Sequence, residues 1–195
     1  MAENSQVGFV LAEKLGWSKS DITKCTLLGP AGIAVGSMLA SKIGTKIGIK
    51  KLLMLSNLVA LIANLVKVIE HSATIYLGRI IFSICAGAAN FCIGKAISET
   101  VPSQFGQRYG ILVNSGIQLG VLICQSFGVL LPNLNREDPA NIEALRNDMN
   151  WRLIWLIPVV LELVSLAFIP IFYKHLSLKK LIQNEKKFEL AKSEV

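Results

Sequence analysis

Charge is scarce in this sequence. Only 17% of its 195 residues are Asp, Glu, Lys or Arg, against roughly a quarter in a soluble domain of this size. The charges that exist sit in blocks between apolar runs, and 52% of the residues are hydrophobic. That pattern is expected when the solvent for the apolar surface is lipid. Histidine occurs twice, as His71 and His175, both in loops and far apart, so each reads as a surface residue. No HExxH, GxSxG or phosphate-cradling GxxxxGK[ST] is present. Catalytic residues, metal ligands and cofactors are therefore none, and no span carries two convergent catalytic groups. Cys25, Cys85, Cys92 and Cys124 lie inside apolar runs without CxxC or Cys/His ligand spacing. They read as small buried hydrophobes rather than disulfide partners. The stretch up to Asp21 has no apolar core of a cleavable signal peptide, so the first span itself must direct insertion. Neither a soluble domain nor a short tandem repeat stands out.

The formal net charge of +7 raises the question of nucleic acid. The basic residues, however, are not spread along one face or interleaved with aromatics. They cluster at the ends of apolar segments, which points to membrane orientation and to no nucleic-acid partner.

Five stretches are long and apolar enough to cross a bilayer core of about 30 Å, which takes about 20 helical residues. They are Ile22–Ala40, Leu52–Ile69, Ile75–Ile97, Tyr109–Leu131 and Leu153–Tyr173. Helix is the expected state, because a lipid-exposed strand leaves its backbone unpaired and no barrel-like alternation is present. The fold class is thus all-α, a polytopic membrane protein of about five transmembrane helices. Residues 1–21 read as an extracytoplasmic segment, 22–173 as the bundle and 174–195 as a basic tail.

Lys and Arg placement orients the bundle. The loop Ser41–Lys51 holds Lys42, Lys46, Lys50 and Lys51 and no acidic residue, and the tail holds six lysines from Lys174 to Lys192. Both fall on one side if there are five spans. Glu70–Thr74 has no Lys or Arg, and Pro132–Asn150 balances Arg136 and Arg146 with acids. The basic side is expected to be cytoplasmic, with the N-terminus outside.

Small residues recur at helix-packing spacing: Gly32 and Gly36, Gly116 and Gly120, and Ser83, Gly87 and Gly94. In lipid, glycine lets helix backbones approach closely; the same contacts let helices rock, as carriers require. Ionisable residues within spans are costly, so each carries a functional hypothesis. Glu162, midway along the last span, is a candidate for coupling or a partner of Arg79, Arg152 or a helix-end donor. Lys24 and Lys67, near the outer ends of their spans, are expected to snorkel to the interface.

Leu77 to Pro102 resembles the sugar porter family of the major facilitator superfamily, and the likeness extends over nearly all of the chain after Asp21. Gly78 and Arg79 match the family's Gly-Arg; Gly87, Glu99 and Pro102 also match. Ser83 replaces a Gly, Gly94 a Pro and Ala96 a Tyr. Lys46, Gly48 and Lys50 fit the loop signature, in which Thr45 replaces the acid and Ile49 an Arg. Trp151 and Arg152 resemble the pair before the sixth helix, and Pro170 to Leu176 a worn Pro-Glu-Ser-Pro-Arg-x-Leu. The matched segments correspond to the second to sixth helices of the N-terminal half.

The resemblance implies a carrier for a small polar solute, most simply a hexose, by facilitated or proton-coupled transport. Asn114 falls where the family often has a sugar-binding Gln, with Gln118 one turn on. Lys46, Gly48, Lys50, Glu99 and Arg108 fall in the family's inner charge latch, with Arg79 nearer the outside. Gly106 stands where the family has a loop Arg. The implied partners are membrane lipid, the sugar, and the missing transporter half or another membrane subunit. The alternative is a transport-dead membrane subunit in a larger assembly. The plasma membrane is the favoured location.

Overall fold

The structure, a computed structural model, describes residues 10–11, 14–100, 103–126, 143, 152 and 154–171. Five helices carry it: α1 (Lys19–Ile47), α2 (Ile49–Lys67), α3 (Ser72–Thr100), α4 (Ser103–Ser126) and α5 (Ile154–Ile171). The protein is an all-α polytopic membrane protein. Leu27, Met38, Ile62, Val160 and Leu163 are among many large apolar side chains left exposed around the bundle. A soluble protein would bury such a girdle, whereas lipid solvates it.

Local chemistry sets the helix ends. Ser18 caps α1: its hydroxyl accepts from the Asp21 N–H at 3.3 Å, while the Asp21 carboxylate accepts from the Ser18 N–H at 3.1 Å. This reciprocal box satisfies two donors that the first turn would otherwise leave open. α1 ends at Gly48, whose φ of +90° is the left-handed region that glycine enters without a Cβ penalty. α2 begins at the next residue, so α1 and α2 form a hairpin with a one-residue turn.

α3 is the centre of the bundle and packs on both α1 and α2. Against α1 the backbones meet closely. Gly36 faces the Ile84 carbonyl and Gly87 the Ile33 carbonyl, with Gly32 against Ser83. Here the small-residue spacing of the first and third spans is a packing seam. Gly116 and Gly120 on α4 have nothing near them among the described residues, and nearly the whole of α4 is exposed.

Two apolar clusters mark the ends of the bundle. One joins Ile75, Ile154 and Trp155 to Val10, Leu11 and Trp17 of the N-terminal segment. Trp17 stacks on Tyr76 with ring centroids 5.0 Å apart and donates from Nε1 to the Ser72 hydroxyl at 2.8 Å. The other gathers Ala40, Leu52, Leu53, Ala88, Cys92 and Ile169 near the α1–α2 turn.

Among the described residues four helices are long and apolar enough to cross a membrane: Lys19–Ile47, Ile49–Lys67, Ser72–Ser98 and Ile154–Ile171. The predicted fourth span, Tyr109–Leu131, is helical to Ser126 and is not among those four. Asn114, Ser115 and Gln118 dilute its apolar run, and residues 127–131 lie outside the described residues.

Candidate functional site

Asn114 and Gln118 lie one turn apart on α4, on a common face, and both side chains are exposed. An amide offers both donors and an acceptor, the pairing a sugar hydroxyl needs. Two amides four residues apart can grip adjacent hydroxyls. α4 thus presents the two amides on one exposed face among the described residues, with Gly116 and Gly120 on the other.

The loop residues converge only in part. Lys46 lies in the last turn of α1, Gly48 makes the turn and Lys50 lies in the first turn of α2, so the three share one corner, and both lysines are exposed. Arg108 lies exposed on α4, its guanidinium carbon 5.9 Å from the centre of the Phe105 ring. Neither lysine nor Arg108 makes an ion pair among the described residues. The Glu99 side chain lies outside the described residues. Arg79 stands apart from this corner: it is 3% exposed in α3, and its guanidinium packs against Gly29 of α1.

Glu162 is buried at 9% exposure and accepts at Oε1 from Asn64 Nδ2 at 2.8 Å. The expected partners were Arg79, Arg152 or a helix-end donor; the amide of Asn64, on α2, was not among them. Arg152 reaches Glu70 at 2.9 Å. One α5 turn further on, Ser165 accepts from Asn57 Nδ2 at 3.3 Å, so α2 and α5 share a polar seam within apolar walls. Hydrogen bonds between neighbouring helices are the means by which polar groups are tolerated at membrane depth.

Lys67 corrects the sequence reading. It does not snorkel to the interface but is 1% exposed. Its stem lies over Gly78, where a Cβ would stand 2.6 Å from Lys67 Cγ. Its ammonium sits 4.5 Å from the centre of the Phe82 ring and 5.5 Å from that of Trp155. A helical side chain points back toward the N-terminus of its helix, so a lysine at the end of α2 dips inward toward Asn64. Aromatic faces then stabilise the cation by their negative quadrupole. Only the neighbours contributed by α3 and α5 reveal this, and no periodicity in α2 could have done so.

Comparison with known proteins gives the chain its relatives. The family model of the Major Facilitator Superfamily matches residues 5–193. The chain is 26% identical over 158 residues to the solute carrier family 2, facilitated glucose transporter member 5, of Pongo abelii, covering 77% of the chain and 29% of that protein. The human member 5 gives the same identity and coverage. Member 3 of Oryctolagus cuniculus is 25% identical over 193 residues, covering 93% of the chain and 37% of that protein. The chain thus spans about a third of the length of these relatives. No solved structure matches.

Proposed function

We propose that this chain, which belongs to the Major Facilitator Superfamily, forms part of a carrier that moves a hexose-like solute across a membrane. The observation that carries this reading is the similarity to facilitated glucose transporters over 77% to 93% of the chain. In it, Asn114 and Gln118 bind solute hydroxyls. Lys46, Gly48, Lys50, Glu99 and Arg108 gate the inner side, and Arg79 supports packing nearer the outside. Glu162 is the candidate coupling carboxylate. The bundle is residues 22–173 and the basic tail 174–195 is cytoplasmic, with the N-terminus outside and the plasma membrane as host. Solute sites of such carriers lie near the bilayer midplane between two repeats, so a second transporter half or another membrane subunit completes the cavity.

The test is uptake of labelled hexose by vesicles containing the chain, alone and co-expressed with candidate partners. Uptake lost in Asn114→Ala supports the reading. No uptake under any partner or dimer condition removes autonomous transport.

A second reading is a transport-dead membrane subunit. The replaced positions Thr45, Ile49, Gly94, Ala96 and Gly106 favour it. Isolation from native membranes as a monomer without a stable partner would count against it.

A further inference from the structure

Between α1 and α2, on the side of the bundle nearest Gly48, lies a cleft of about 170 Å³ with α3 behind it. Gly36, Ala40 and Ala88 form its buried floor, while Leu39, Ile43 and Leu55 are its exposed lips. Ser56 also lines it, but its hydroxyl donates to the Leu53 carbonyl of its own helix at 2.9 Å. The lining therefore offers hydrocarbon and almost nothing polar. An apolar cavity of about 150 Å³ stays dry and takes up hydrocarbon.

The rim toward Gly48 is different. Lys46 lies three residues beyond Ile43 on α1, and Lys51 lies four residues before Leu55 on α2. At those spacings each lysine continues the helix face that lines the cleft, one turn nearer the membrane surface. Both are exposed, and neither makes an ion pair among the described residues. Residues 41–51 also contain Lys42 and Lys50 and no acid. An apolar slot thus opens beneath a concentrated positive charge.

We propose that this cleft binds an anionic phospholipid from the leaflet beside Gly48. One acyl chain runs along Leu39, Ile43 and Leu55, and the phosphate sits at Lys46 and Lys51. Charge complementarity selects this occupant. A zwitterionic headgroup would bring its own cation to the lysines, and a sugar or peptide would find no hydrogen-bonding group on the floor. The proposal rests on the helices lying in lipid and not on the hexose reading, so it stands or falls separately from transport.

The test uses the full chain in nanodiscs with two photoactivatable probes bearing the same diazirine-tagged acyl chain. One has a phosphatidylglycerol headgroup, the other phosphatidylcholine. Peptide mapping should place the glycerol probe at Leu39, Ile43 and Leu55, several-fold above the choline probe. The double variant Lys46→Gln/Lys51→Gln should lower glycerol labelling to the choline level, with labelling at Leu27 and Val160 unchanged. Ser56→Leu, which fills the floor, should reduce labelling at the lips. Equal labelling by the two probes would overturn the proposal, as would labelling spread evenly to Leu27 and Val160. So would cross-links from the lips to residues 174–195 or to a second copy, which would assign the cleft to protein.

Discussion

Asn64 Nδ2 donates to Glu162 Oε1 across 2.8 Å, joining α2 to α5 between residues 98 apart in sequence. Asn64 is wholly buried, so neither group has water to fall back on. Removing one partner leaves a buried polar group with a lost bond, which costs about 1–3 kcal/mol, and more where the survivor is charged. Asn64→Ala should therefore lower the apparent unfolding midpoint in detergent. Glu162→Gln, which keeps an oxygen acceptor at the same place, should lower it less. Equal loss in both variants would mean that the charge, not the bond, is the stabilising element.

Glu70 holds a clasp at the opposite end of α2 from Gly48. Its Oε1 lies 3.1 Å from Lys14 Nζ and 2.9 Å from Arg152 Nη2, tying the N-terminal segment and the start of α5 to the α2–α3 turn. The hydrogen bond from Lys14 and the two nearby cations pull its carboxyl below the ordinary value of 4.5. A carboxyl lowered on folding adds stability above its unfolded pKa and loses it as pH falls through the folded one. The stabilisation should thus be complete at neutral pH and fade below about pH 4.5. The carboxyl is 40% exposed, so the effect should stay under about 1 kcal/mol. The difference in unfolding midpoint between the native chain and Glu70→Gln, followed down the pH scale, should shrink in that window. A constant difference would contradict the clasp.

Gly48 turns the chain between α1 and α2 at φ +90°. Any side chain there pays for a left-handed backbone, although a Cβ would touch nothing. With ψ at 146° the backbone lies outside the αL well that asparagine tolerates and close to a region essentially reserved for glycine, so Gly48→Ala and Gly48→Asn should both destabilise, by about 1–3 kcal/mol. Thermal melts of the two variants check this. Melts level with the native chain would show that the turn relaxes into another geometry.

Much of this architecture was legible in the sequence because lipid makes its demand by composition. Runs such as Leu52–Ile69 must be helical, and α2 follows it closely. α1 outruns its apolar stretch at both ends, since the Ser18–Asp21 box and the lysines near Gly48 extend it into the polar layers. The Gly32, Gly36 and Gly87 seam was legible because small residues mark close approach. Their partners were not, for spacing names a face and not what lies against it. Lys67 failed for the same reason: a lysine near a helix end reads as snorkelling until Gly78, Phe82 and Trp155 are placed around it. The N-terminal segment read as a juxtamembrane stretch, yet Trp17 docks on Tyr76 through contacts 55 or more residues distant in sequence. Of the residues proposed for transport, Asn114 and Gln118 share a face by simple helical arithmetic, whereas a latch depends on tertiary placement that spacing does not encode.

The glycines separate packing from mere composition. A Cβ at Gly36 or Gly87 would strike the Ile84 or the Ile33 carbonyl, backbone atoms that cannot rotate away. Alanine at either position must push α1 and α3 apart, and overpacking of this kind costs about 1–3 kcal/mol. At Gly116 and Gly120 a Cβ meets open space, and alanine improves helix propensity by up to about 1 kcal/mol. In the isolated chain, Gly36→Ala and Gly87→Ala should lower the unfolding midpoint while Gly116→Ala and Gly120→Ala leave it level or raise it. The same four variants distinguish the chain alone from the chain in an assembly. If another transporter half or subunit closes against α4, Gly116→Ala and Gly120→Ala should weaken its co-purification while sparing the fold of the chain itself. Should neither variant alter capture of a partner that otherwise co-purifies, the exposed face of α4 would not be the surface that completes a carrier.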